Sequence, residues 1–107
     1  MPDTVQDFNI GVASGEAETV VTVTGEVDMQ TAPLLKDRLF ELVETGVPRI
    51  VVDLGATSFM DSTGLAVLVR ALLRMHTQKG ELVLRAPQER VRKILRISGL
   101  DAVFPQG

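Results

Sequence analysis

Asp61, Ser62 and Thr63 set three side-chain oxygen groups in a row, between the apolar pair Phe59-Met60 and the run that begins at Gly64-Leu65. Four chemistries use such a triplet: a serine nucleophile, a nucleotide cradle, a helix cap, or a hydroxyl that accepts a phosphate. A nucleophile needs a base within hydrogen-bond reach. The sole histidine is His76. At ~1.5 Å per residue along one helix it lies about 21 Å from Ser62. Asp61 alone is a poor base for a serine near neutral pH. No catalytic residue is assigned.

A phosphate-binding loop would require Gly-x-x-x-x-Gly-Lys-Ser/Thr, and the stretch from Gly55 to Gly64 contains no lysine. Asp-Ser-Thr-Gly has one residue more than the Asp-Ser/Thr-Gly of aspartic proteases. Asp53 ends an apolar run as a phosphoacceptor aspartate would, but the acidic pair and late lysine of a receiver domain are missing. Asp53 is therefore read as a strand-end hydrogen-bonding residue. The cap remains: one of the three side chains accepts a bond from an otherwise orphan backbone N–H, worth ~1 kcal/mol. One cap uses one such residue. Gly64 next to it is a weak helix former, costing about 1 kcal/mol relative to Ala. A glycine there is expected to leave the backbone open to another molecule.

The elements that must carry this triplet are legible in the periodicity. Residues 8–13 (FNIGVA) and 19–25 (TVVTVTG) are rich in β-branched residues and flank Ser14-Gly15-Glu16, which predicts a hairpin. A helix is expected over 31–45, with Thr31 as its cap, Pro33 in its first turn and Gly46 as its stop. Ala32, Leu35, Leu39 and Leu42 or Val43 give its buried stripe. Ile50-Val51-Val52-Asp53-Leu54 is the continuous run of a central strand covered on both faces. The stretch 55–61 should then lead into a helix over 62–78, with Leu65, Leu68, Val69, Leu72 and Met75 inward and Gly80 as its stop. Ala66, Val67 and Leu73 lie off that stripe and form a small exposed apolar patch. Leu82-Val83-Leu84 is the last strand. Pro87 opens a helix with Val91, Ile94 and Leu95 inward, Gly99 closes it, and Leu100 to Phe104 pack as a tail.

The order β-β-α-β-α-β-α implies an α/β fold: a mixed, mostly parallel four-stranded sheet with helices packed on it, the first strand added antiparallel. The 107 residues suit one domain, with a core over about 8–104. The absence of cysteine rules out disulfides, Cys-based zinc and a thiol nucleophile. With a net charge of −3, no Trp and no Tyr, the chain lacks the signature of a nucleic-acid binder. Arg90, Arg92, Lys93 and Arg96 are read as a solvated helix face. The opening MPDTVQDF has neither a basic nor an apolar leader region, and no apolar run approaches the ~20 residues of a membrane span, so a cytoplasmic location is expected.

Parallel strands end on one shared edge, where open α/β proteins build their sites. Gly25-Glu26-Val27-Asp28 leaves one strand and Phe59-Met60-Asp61-Ser62 comes after the next, so Asp28 and Ser62 should share a rim. In that order, with Thr31-Ala32, Val51-Val52-Asp53-Leu54 and Asp61-Ser62-Thr63-Gly64-Leu65, these segments resemble the STAS domain, and within it the anti-sigma factor antagonists of sporulation and general stress responses. Gly80, Pro87 and Ser98-Gly99-Leu100 fall in the order of that family. The resemblance implies a switch protein, not an enzyme, with no cofactor and no metal. Ser62 would be phosphorylated by a serine kinase that doubles as anti-sigma factor, with Thr63 the lesser candidate. The unphosphorylated form would bind that kinase and free the sigma factor, and a phosphatase would reset it. Asp28, Met60, Asp61, Thr63 and Gly64 would border the partner surface of a monomer or weak dimer. Two other roles stay open at this point: a STAS accessory subunit of a stressosome or transporter, and a nucleotide-binding regulatory module.

Overall fold

A computed structural model describes residues 7–105. Met1–Gln6, where a leader would begin, lie outside the described residues, as do residues 106 and 107. The predicted order holds. Strands β1 (Asn9–Ser14) and β2 (Thr19–Val27) form the antiparallel hairpin, closed by the Gly15 N–H donating to the Glu18 carbonyl at 2.9 Å. Helix α1 (Ala32–Glu44), strand β3 (Arg49–Met60), helix α2 (Ser62–Thr77), strand β4 (Glu81–Arg85) and helix α3 (Glu89–Ser98) come next, then a short 3₁₀ turn at Leu100–Ala102. The sheet order is β1-β2-β3-β4, with β2, β3 and β4 parallel.

The largest departure from the sequence reading is β3. Residues 55–60, expected as a lead-in loop, continue the strand. Thr24, Gly25, Glu26 and Val27 pair with Ala56, Thr57, Phe59 and Met60, and β3 spends one extra residue twice against β2 to do so. Such bulges bend a strand without ending it. The Asp53 carboxylate takes the Gly55 N–H at 2.9 Å, the hydrogen-bonding role expected of it, but inside the strand and not at its end. The buried Thr57 hydroxyl donates to the Val23 carbonyl at 2.8 Å, which fastens the bent segment to β2. Gly55 and the polar Thr57 and Ser58 read as a loop because their partners lie about 30 residues upstream.

The core joins Val21, Val23, Ile50, Val52, Leu54, Leu82 and Leu84 of the sheet to Leu35, Leu39 and Val43 of α1 and to Leu65, Leu68, Leu72 and Met75 of α2. Val91 and Leu95 of α3, and Phe104 of the tail, close it. Val51 and Val83 are buried on the opposite face, so β3 is covered on both sides as expected. Arg49 and Arg85 share that face by strand alternation and both reach Glu18, at 3.2 and 3.6 Å. On α2 the stripe is rotated from its expected position. Val67 and Ala71 are buried and Val69 only half-buried, while Ala66 and Leu73 are exposed as predicted. Ile94 of α3 is likewise half-buried.

Helix ends obey local chemistry except at two points. Pro33 sits in the first turn of α1, and Gly46 and Gly99 take the left-handed conformation that stops α1 and α3. Thr31 stands at the N-cap position of α1 without capping it; its hydroxyl donates instead to the Glu26 carbonyl at 2.8 Å. After α2 it is Lys79 that turns left-handed, not Gly80. A Cβ on Gly80 would lie 2.8 Å from Met75 and 3.1 Å from the Pro48 carbonyl, so this glycine serves close packing.

Candidate functional site

β2 and β3 end level, with Val27 paired to Met60, and the Asp61 N–H donates to the Val27 carbonyl at 3.1 Å. The shared rim expected for Asp28 and Ser62 therefore exists: each aspartate is the first residue past its strand. Each also folds its own turn. One Asp28 carboxylate oxygen accepts the N–H groups of Gln30 (2.9 Å) and Thr31 (3.1 Å). One Asp61 carboxylate oxygen accepts those of Thr63 (2.9 Å) and Gly64 (3.2 Å), together with the Thr63 hydroxyl. Asp61 is thus the N-cap of α2. The Thr63 hydroxyl is the main influence holding the Asp61 carboxyl below the ordinary carboxylate range; partial burial works against it, and the Gly64 and Thr63 N–H groups assist.

The three side chains of the triplet therefore divide their roles. Asp61 caps, Thr63 is half-buried and locked onto Asp61, and Ser62 is exposed as the first residue of α2. Among the described residues the Ser62 hydroxyl has no hydrogen-bond partner. A carboxylate whose pKa is lowered by the Thr63 hydroxyl and two backbone N–H groups is a poor proton acceptor, and His76 is exposed near the far end of α2. The described residues contain no group of three or more His, Cys, Asp or Glu placed to hold a metal ion.

Met60 and Gly64 occupy interior positions. Met60 is fully buried. A Cβ on Gly64 would come within 2.7 Å of both Met60 Cγ and Val27 Cγ1. The close approach that the glycine permits is internal, of α2 onto the ends of β2 and β3, and not that of an external molecule. Both residues shape the turn from within, and neither offers a side chain to a partner.

Beside the rim runs an open groove of about 410 Å³ between α1 and α2. Met29 and Lys36 line one side and Thr63, Ala66 and Arg70 the other. Further along, the Arg74 guanidinium lies 4.4 Å from the centre of the Phe40 ring and the Lys36 ammonium 5.7 Å from it. Met29, Lys36, Phe40 and Arg70 were not found by sequence reasoning. Met29, directly after the rim aspartate, is 73 % exposed. The pairing of α1 with α2 leaves no mark in local sequence, so the cations could not be placed side by side.

Three comparisons bear on this geometry. The STAS domain family model matches residues 9–106. The chain is 35 % identical over 98 residues to the anti-sigma-B factor antagonist of Bacillus subtilis strain 168, covering 92 % of this chain and 89 % of that one. The crystal structure of an anti-sigma factor antagonist from Mycobacterium paratuberculosis superposes with a TM-score of 0.85 at 31 % identity, covering 94 % of this chain and 85 % of that one. The Bacillus cell fate determinant SpoIIAA, solved in its phosphorylated form, matches at the level of fold, with a TM-score of 0.72, 20 % identity, and coverage of 94 % and 91 %.

Proposed function

From the premise that this chain belongs to the STAS domain family, we propose that it is an anti-sigma factor antagonist switched by phosphorylation of Ser62. In its unphosphorylated form it binds a serine kinase that is itself the anti-sigma factor, and the sigma factor is released. Phosphorylated Ser62 ends that binding, and a phosphatase restores it. The docking surface is the rim around Asp28, Met29, Ser62 and Thr63, continued by the groove between α1 and α2. Asp61, Met60 and Gly64 hold that surface in shape.

The observation that carries the reading is the division of labour in the triplet. Its one free, exposed hydroxyl is that of Ser62; the Thr63 hydroxyl is spent on Asp61. A phosphate adds about −1.5 to −2 charges. A helix N-terminus usually favours such a charge by ~0.3–1 kcal/mol. Here the Thr63 and Gly64 N–H groups already bind Asp61, so the phosphate gains little from them and stands beside the Asp61 carboxylate. Desolvating that charge pair in an interface costs several kcal/mol, enough to weaken binding by orders of magnitude. The same occupied donors argue against the nucleotide-binding alternative, since Asp61 fills the anion site that a nucleotide phosphate would use.

The test is a paired affinity capture from the source organism with Ser62→Ala and Ser62→Glu proteins. Capture of an ATP-binding serine kinase by the Ala form alone supports the switch. Equal capture by both forms, or capture of a transporter subunit, sinks it.

A further inference from the structure

The sheet has two outer edges, and they are treated differently. β4 is five residues long, carries Glu81 and Arg85 at its ends, and has the Leu84 N–H bonded to the Pro105 carbonyl of the tail at 3.0 Å. Charge, shortness and a covering segment are the usual means by which a sheet edge is kept from pairing. Among the described residues β1 has neither the charges nor the covering segment. Its six residues, Asn9-Ile10-Gly11-Val12-Ala13-Ser14, include no charge and no proline, and its register with β2 is unbroken.

The hairpin bond fixes which backbone groups are free. Because the Gly15 N–H donates to the Glu18 carbonyl, the alternation of an antiparallel ladder turns the odd-numbered groups of β1 toward β2. Those of Ile10, Val12 and Ser14 point to the open edge. Ile10 and Val12 are half-buried, and beside them the gap to α1 forms two shallow grooves of about 340 and 520 Å³, bordered by Phe8, Leu34 and Leu42 and by the charged Asp37, Arg38, Glu41 and Glu44. Leu34 is 56 % exposed.

We propose that two copies of this chain associate through β1, antiparallel about a two-fold axis, joining their sheets into one. A strand that pairs with itself must bring no like charges opposite each other, and β1 meets that condition at every position. A register centred on Gly11 sets Ile10 opposite the second copy's Val12 with their outward N–H and C=O groups exchanged. It also brings Ile10 and Val12 of the two copies together on the face that carries α1. Asn9 then faces the second copy's Ala13, and Gly11 faces Gly11.

That central glycine supplies the test. A Cβ on Gly11 meets nothing within 4 Å, and its backbone is not left-handed, so substitution leaves the isolated chain undisturbed. Sedimentation equilibrium of the full chain over micromolar to millimolar concentration should show the mass rising from 11.6 kDa toward twice that value. Gly11→Lys, which sets two ammonium groups face to face, should hold it at the monomer mass. Gly11→Thr, a favourable cross-strand pair, should keep or strengthen association. Amide exchange at Ile10, Val12 and Ser14 should slow as concentration rises in the wild type and not in Gly11→Lys. A wild-type chain that remains monomeric throughout, or a Gly11→Lys protein that associates as the wild type does, overturns the proposal. Neither result touches the Ser62 switch, which rests on another surface.

Discussion

Two aspartates end two neighbouring parallel strands and fold their turns in the same way, each with one carboxylate oxygen taking the N–H groups two and three residues on. The segments beyond them differ. After Asp28 the chain spends Met29, Gln30 and Thr31 before α1 begins, and the Thr31 hydroxyl ties the turn back to Glu26. After Asp61 the helix begins at once, and Gly64 lets its first turn press onto Val27 and Met60. The Asp28 turn is thus a loop that presents Met29, whereas the Asp61 turn is a clamped platform that presents Ser62. The same hydrogen-bond motif leads into a three-residue loop in one place and directly into a packed helix in the other.

This comparison breaks most readily at Gly64. Gly64→Ala gains about 1 kcal/mol of helix propensity but drives a methyl into Met60 and Val27, and overpacking a core costs about 1–3 kcal/mol. A net fall in the urea midpoint is expected, whereas Gln30→Ala, in the other turn, should change it little. A Gly64→Ala protein as stable as the wild type would show that the platform is not clamped.

Removing the Asp61 cap should have an effect of similar size. Asp61→Ala should cost about 1–2 kcal/mol, since it releases the Thr63 and Gly64 N–H groups at the end of a packed helix. Asp28→Ala should cost less, because Thr31 still holds its turn through Glu26. Equal losses in chemical denaturation would erase the distinction. The pH dependence of Asp61 has a definite sign. Its folded-state pKa is lowered, so its contribution is present above the ordinary carboxylate value near 4 and is lost as pH falls through the lower folded value. The stability gap between wild type and Asp61→Asn should therefore shrink on acidification below about pH 4. A gap that widens there would contradict the assigned hydrogen bonds.

The smallest expected effect on stability is that of Ser62→Glu. Ser62 is exposed and bonded to nothing described, so its melting temperature should stay within a few degrees of wild type while partner binding falls by orders of magnitude. A large drop in melting temperature would mean that Ser62, not Asp61, secures α2.

Most of the architecture was legible because it rests on local periodicity. The β-branched alternation of β2, the apolar run 50–54 and the three helical stripes each announce their element, and Gly46 and Gly99 mark stops that only their conformation explains. The rim was legible too, since parallel strands place Asp28 and Asp61 on one edge whatever the details. The errors share a cause. The strand extension to Met60 and the burial of Val67 both depend on which segment lies across from them.

The sequence by itself determined the order of elements, the sheet type and the one acidic, hydroxyl-rich turn, since propensity, capping and spacing are short-range properties. Only the tertiary structure decided which oxygen of that turn is free. Asp61 and Thr63 flank Ser62 in sequence, and each of the three could have served as the cap. In the folded chain Gly64 packs against Val27 and Met60, Asp61 and Thr63 are bonded to each other at the cap, and Ser62 is left in solvent.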